Sequence, residues 1–183
     1  MKRFKNLIVV IDRSMEHKSK KGFTVLALIG VWDSEIGSLK RIVFKELNLK
    51  HAKKYGSSKR VKMDMLKAAL KGERTDLISH IYFVGIYRIP VTGRIREKDL
   101  PNRFYEDFKK LYPDCKFVLG DKDIISILKK YFPDLRIIEE KESRITIRQY
   151  KHLMILADNI AYFARIAYLE NDFEFLELLR RGP

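Results

Sequence analysis

The chain has little of several things, and each scarcity excludes a class. There is one cysteine, Cys115, in 183 residues. That excludes an internal disulfide framework and a zinc site built from several thiolates. No P-loop, no G-x-G-x-x-G and no G-x-S-x-G elbow is present, so nucleotide cradles and serine-hydrolase turns of those kinds have no support. The histidines, His17, His51, His80 and His152, show no metal-ligand spacing. The longest apolar stretch, Leu153 to Leu169, is interrupted by Asp158, Asn159 and Arg165, which argues against a transmembrane helix. Only five apolar residues follow the basic N-terminus, too few for a signal-peptide core. Glutamine occurs once and asparagine five times against abundant lysine, arginine, isoleucine and leucine, a bias that fits a thermophile. Hydrophobic residues make up 46% of the chain, which excludes bulk disorder. The expectation is a soluble cytoplasmic protein. Its length predicts one domain over 1–170 and a C-terminal helical appendage over 171–183.

Acidic residues are also scarce, and unevenly so. The net charge is +14. Residues 1–21 hold seven basic and two acidic residues, and residues 50–74 hold nine and two, so these 46 positions carry +12 of the total. General enrichment in charge would spread both signs evenly. Clustering of one sign points to a polyanion partner, with nucleic acid first among them. The candidate phosphate contacts are Arg13, Lys18, Lys20 and Lys21 in the first cluster. In the second they are Lys50, Lys53, Lys54, Lys59, Arg60 and Lys62. No membrane partner is expected.

Leu7 to Ile11 is a continuous, largely β-branched apolar run, as in a central strand buried on both faces. Phe23 to Trp32 reads as a second strand, Asp33 to Gly37 as a turn, and Leu39 to Leu47 as a third strand completing a meander. A loop, Asn48 to Gly56, precedes a helix capped by Ser57 or Ser58 and running to Leu70. Leu77 to Ile89 follows as a strand. A helix carries Phe104, Phe108 and Leu111 on one stripe and stops at Pro113. Lys116 to Leu119 is a short strand, followed by a helix to Phe132, a strand Leu135 to Ile138, and a long helix from Ser143 or Thr146 to Leu169. A final helix covers Phe173 to Arg180. The fold class is therefore α/β, a mixed sheet with helices on both faces. Cys115 opens an apolar strand and belongs to the core. The apolar residues of the final helix are a candidate surface for an assembly role.

Three acids stand out. Asp12 ends the strand run LIVVID and Asp121 ends FVLGD, and strand carboxyl ends are where open α/β sheets bind ligands. Asp158 sits inside the apolar helix, where a charge needs a partner. Its helical neighbours Met154, Ile155, Ala161 and Tyr162 offer none. The partner must come from elsewhere in the fold: a cation, a basic side chain or backbone donors. Three converging carboxylates need a neutralising ion, and an oxygen-only set selects Mg²⁺ or Mn²⁺. Such ions serve phosphodiester hydrolysis. Glu46, or Asp123, is a candidate fourth ligand.

A strand ending in Asp, a meander, a second strand-end Asp and a third Asp on the C-terminal helix resemble the RNase H-like nuclease superfamily. The segments FYEDFKKLY and CKFVLGD, and the tail from Ser143 through Gln149 to Leu156-Ala157-Asp158-Asn159-Ile160-Ala161, resemble the domain of unknown function 3800 family. The resemblance implies an RNase H-like sheet. It also implies a metal-dependent nuclease with Asp12, Asp121 and Asp158 as catalytic metal ligands. Where that family opens with Asp-Glu-Ser-Gly, this chain has Asp12-Arg13-Ser14-Met15, so a cation replaces the second acid. That substitution leaves a second reading open: a non-catalytic nucleic-acid-binding protein on the same fold.

Overall fold

A computed structural model describes residues 5–15, 22–138, 144–180 and 182. Lys18, Lys20, Lys21, His17 and Ser143 lie outside the described residues. Five strands form one sheet in the order β3-β2-β1-β4-β5. They are β1 (Leu7–Met15), β2 (Thr24–Trp32), β3 (Phe83–Ile89), β4 (Cys115–Gly120) and β5 (Ile137–Ile138). β1–β2 and β2–β3 pair antiparallel, whereas β1–β4 and β4–β5 pair parallel. This is a mixed α/β sheet with the antiparallel meander at one side.

The third strand of that meander is β3, not Leu39 to Leu47. The latter segment is helical: α1 (Ile36–Arg41) runs into a π-helical turn at Ile42–Glu46. Its buried residues are Leu39, Ile42, Val43 and Leu47, a three-and-four spacing that lines one helical face. A strand would put Ile42 and Phe44 on one face, and of the two only Ile42 is fully buried. The remaining helices are α2 (Lys59–Leu70), α3 (Asn102–Leu111), α4 (Lys122–Tyr131), α5 (Arg144–Glu170) and α6 (Phe173–Leu178).

Alternation along β1 divides the core. Ile8 and Val10 face a layer containing α1, α2, α5 and α6, while Leu7, Val9 and Ile11 face α3 and α4. Both faces of β1 are therefore apolar, which accounts for its unbroken hydrophobic run. Phe175, Leu176 and Leu179 of the C-terminal segment are buried in the α5-side layer, and Phe173 alone of its large apolar residues stays widely exposed. The face proposed for assembly is thus mostly covered. No helix among the described residues is long and apolar enough to cross a membrane.

Candidate nucleic-acid interface

β1 and β4 run side by side until β4 ends at Gly120, and β1 continues to Met15. Ile11 pairs with Gly120, and the Asp121 N–H donates to the Ile11 carbonyl at 3.0 Å. Asp121 therefore follows the end of β4, whereas Asp12, expected to end its strand, lies inside β1, which continues to Met15 because β2 goes on pairing with it beyond the apolar run, Asp12 standing opposite Ala27. The side chains of the two acids part company. Alternation sends Asp12 toward the α5 face, with Ser14, whose hydroxyl accepts a hydrogen bond from Arg165 Nε at 2.9 Å. Arg13 points to the opposite face, with Ile11.

On that face Arg13 does the work a cation would do. Its Nε lies 2.8 Å from Asp121 Oδ2, its Nη2 3.2 Å from Asp123 Oδ2, and its Nη1 donates to the Gly93 carbonyl at 2.9 Å. The other Asp121 oxygen accepts the Asp123 and Ile124 N–H groups at 3.0 and 3.3 Å, capping α4. Burial pushes the Asp121 carboxyl above the ordinary carboxylate range. The Arg13 charge and the two N–H groups pull against that shift. Arg13, expected on a phosphate, is spent inside the fold.

Asp158 finds its partner in backbone, the third of the sources open to it. Its Oδ2 accepts the Ala52 N–H at 2.8 Å, and His51 Nδ1 lies 3.7 Å away. Ala52–Lys54 is a single 3₁₀ turn, and a carboxylate at its start satisfies an otherwise orphaned donor. The neighbouring Asn159 completes a clamp. Its Oδ1 accepts the Tyr55 hydroxyl at 2.7 Å, and its Nδ2 donates to the Lys50 and Ile155 carbonyls at 2.8 Å each. Tyr55 in turn accepts the Lys50 N–H at 3.0 Å. Burial pushes the Tyr55 hydroxyl up, so it remains a donor. Asn159 and Tyr55 were missed from the sequence. The available signal was a second polar residue beside Asp158 on an otherwise apolar helix.

The clamp holds the second basic cluster in place, and its members divide by use. Lys50, Lys53 and Lys54 are exposed on the clamped loop, with Lys50 over the Tyr55 ring at 5.8 Å. The Lys53, Lys54 and Lys59 side chains make no ion pair or hydrogen bond with a described residue. Arg60 is engaged by both Glu170 oxygens at 2.5 and 2.6 Å. Lys62 donates to the Leu47 and Asn48 carbonyls at 2.9 and 3.1 Å, closing the end of the π-helical turn. Burial and the Lys50 charge hold its ammonium below the usual lysine value.

Whether these acids suit a divalent ion follows from what already binds them. Asp121 is shared between Arg13 and a helix cap, Asp158 is committed to Ala52, and Glu46 pairs with Arg41 at 2.8 Å. Among the described residues, no three His, Cys, Asp or Glu side chains form a group that could hold a metal ion. As arranged, the donor set does not fit Mg²⁺ or Mn²⁺.

His152 is fully buried against the Phe44 ring, and neither ring nitrogen makes a hydrogen bond of good geometry with a described residue. Burial drives its pKa down to about 4, with Lys40 adding to the shift and the Ile36 backbone opposing it. The folded state therefore binds fewer protons than the unfolded state between that value and 6.5. Stability is complete above pH 6.5 and falls as pH drops toward 4, by about 3 kcal/mol in all. Urea titrations from pH 7.5 to 4 should show this loss, and His152→Leu should flatten it. An equally steep profile in the variant would assign the acid sensitivity elsewhere.

No protein-family model and no curated protein sequence matches the chain, so the resemblance to the domain of unknown function 3800 family gains no support from that side. Among solved structures, ribonuclease H2 from Pyrococcus horikoshii OT3 is similar with a TM-score of 0.48 and 13% identity. The match covers 89% of this chain and 74% of that one. The chain's own geometry is a mixed α/β sheet in which Asp121, after β4, is paired with Arg13 and a C-terminal helix clamps a lysine-rich loop.

Proposed function

We propose that this is a nucleic-acid-binding protein on an RNase H-like fold, contacting backbone phosphates through Lys50, Lys53, Lys54 and Lys59. One observation carries this reading: the Asp158–Ala52 hydrogen bond, with the Asn159 clamp beside it, fixes the loop that presents Lys50, Lys53 and Lys54, with Lys59 at the start of α2 just beyond it. Preset cations lose little freedom on meeting phosphates. Their affinity arises chiefly from release of counterions, so it is strongly salt-dependent and indifferent to base sequence.

The test is an anisotropy titration of labelled RNA and DNA across a salt series. Replacing Lys50, Lys53 and Lys54 together by alanine should weaken binding to every sequence alike. It should also make the log–log salt slope shallower by about 3. An unchanged slope in the triple variant contradicts the proposed contact surface.

A metal-dependent nuclease acting through Asp12, Asp121 and Asp158 is the second reading. Asp12 and Asp121 directly follow the paired residues Ile11 and Gly120 of neighbouring strands, which favours it. It requires Arg13 to release Asp121 and Asp158 to release Ala52, two rearrangements that the binding role does not need.

A further inference from the structure

A second basic surface lies on the other face of the sheet. The segment 94–97, between β3 and α3, and the outer side of α4 enclose a groove of about 790 Å³. That volume falls in the range of ligand-sized clefts. Its lining includes Arg94, Arg96, Lys122 and Lys130 against Glu97 and Asp123. None of the four cations belongs to the two clusters that dominate the sequence's charge.

The acids of the groove already have partners. Asp123 is bound by Arg13, while Glu97 faces Lys130 Nζ at 3.6 Å and accepts the Tyr131 hydroxyl. Arg94, Arg96 and Lys122 are exposed, and their side chains make no ion pair or hydrogen bond with a described residue. With the one Arg13 charge set against both Asp121 and Asp123, and Lys130 against Glu97, the groove and its paired neighbours carry a net charge of +2. The charge is not that of the α4 N-terminus, whose donors Asp121 has already taken. Like charges gathered in one concavity repel each other, and a polyanion relieves that repulsion.

An exposed aromatic ring adjoins the groove wall through Glu97. Tyr131 is 52% exposed, and its ring packs on Tyr105 with centroids 5.3 Å apart. Its hydroxyl is tied to Glu97, a residue of the groove wall. The ring is therefore held from two sides while half its surface faces solvent. Ile95 and Ile127 add an apolar floor. Cations that track a backbone beside a preset aromatic ring are the combination that receives unstacked bases. In a duplex, bases are stacked and their faces unavailable.

We propose that the groove between residues 94–97 and α4 binds single-stranded nucleic acid, with Arg94, Arg96 and Lys122 on its phosphates and a base stacked on Tyr131. This rests on the nucleic-acid-binding reading above and gives it a preference for strand state. Arg13 links the groove to β1, since the same guanidinium holds Gly93 at the start of the segment and Asp123 on α4.

The experiment uses the full chain and fluorescein-labelled oligonucleotides of one sequence: single-stranded RNA, single-stranded DNA and the corresponding duplex DNA. The variants are R94E/R96E/K122E and, separately, Y131A and Y131F. All three reversed side chains are exposed and unpaired, so the melting temperature should hold within a few degrees. Single-strand affinity should fall about 30-fold or more in the charge-reversal variant, with the duplex affected far less. Y131A should lose about 5- to 100-fold on single strands, while Y131F, which keeps the ring, should stay near wild type. The comparison of RNA with DNA identifies the natural strand. Wild-type affinity for single strands with none of these losses overturns the groove and leaves the lysine loop standing. Equal losses on single strand and duplex overturn the strand preference. Failure of the wild type to bind any of the three probes overturns the binding function itself, and the groove with it.

Discussion

Replacing Gly120 by alanine is expected to cost about 4 kcal/mol or more, enough to bring a domain of ordinary stability close to unfolding. Gly120 adopts φ +126, a region that L side chains rarely enter. A Cβ built there would lie 1.8 Å from the Ile11 carbonyl oxygen and 2.8 Å from its carbon. The obstacle is backbone, so no side-chain rotation can relieve it. Strand β4 would have to withdraw from β1. That motion would break the Asp121–Ile11 hydrogen bond and displace Asp121 from Arg13. Circular dichroism melting should show a fall of about 10 °C or insoluble protein. Gly93→Ala is the control, since Gly93 also has positive φ but nothing within 4 Å of a built Cβ. It should cost only about 1 kcal/mol, the backbone penalty alone. Equal costs for the two would mean that the close approach of β4 to Ile11 is wrong.

Asn159→Ala should destabilise by about 4 kcal/mol and detach the lysine loop. The side chain is fully buried, and it satisfies the Tyr55 hydroxyl and the Lys50 carbonyl from a helix they cannot otherwise reach. Removing it orphans two polar groups at about 1–3 kcal/mol each and leaves a small void. Tyr55→Phe removes one of the same contacts. A double-mutant cycle between them should give a coupling of about 1–2 kcal/mol, and additive effects would show that the two do not act as one clamp. Because Asn159 touches no solvent, any accompanying loss of nucleic-acid affinity must pass through the position of Lys50, Lys53 and Lys54.

How far these features were legible depends on the range of the interactions behind them. The buried strands leading to Asp12 and Asp121 were readable because continuous apolar runs mark them, but only Asp121 follows a strand's end; β1 runs on past Asp12 to Met15 because its pairing with β2 does not depend on apolar side chains. The need of Asp158 for a distant partner was readable because its helical neighbours are apolar. Which partner it takes was not, since an Ala52 N–H has no side-chain signature. Leu39 to Leu47 was misassigned because its β-branched and aromatic residues fit either period. Tertiary contact settled the matter by burying Leu39, Ile42 and Val43 together. Arg13 was visible as a departure from the acid that the resemblance calls for. Its pairing with Asp121 and Asp123 needed the register of β1 on β4. Arg94, Arg96 and Lys122 escaped notice because they are scattered in sequence and converge only when the 94–97 segment meets α4.

On the proposed reading, Asp121 holds the fold's own cation, Asp158 holds its own loop, and the protein binds nucleic acid without cutting it. The measurement that tests it most directly extends the anisotropy titration to Mg²⁺, Mn²⁺ and EDTA at matched ionic strength. The probe is recovered on a denaturing gel, for the wild type and for Asp121→Asn. Salt-dependent affinity that is the same with and without the ions, and a probe returned at full length in every lane, is the predicted result. Cleavage that requires Mg²⁺ or Mn²⁺ and vanishes in Asp121→Asn would contradict the claim and establish the nuclease in its place.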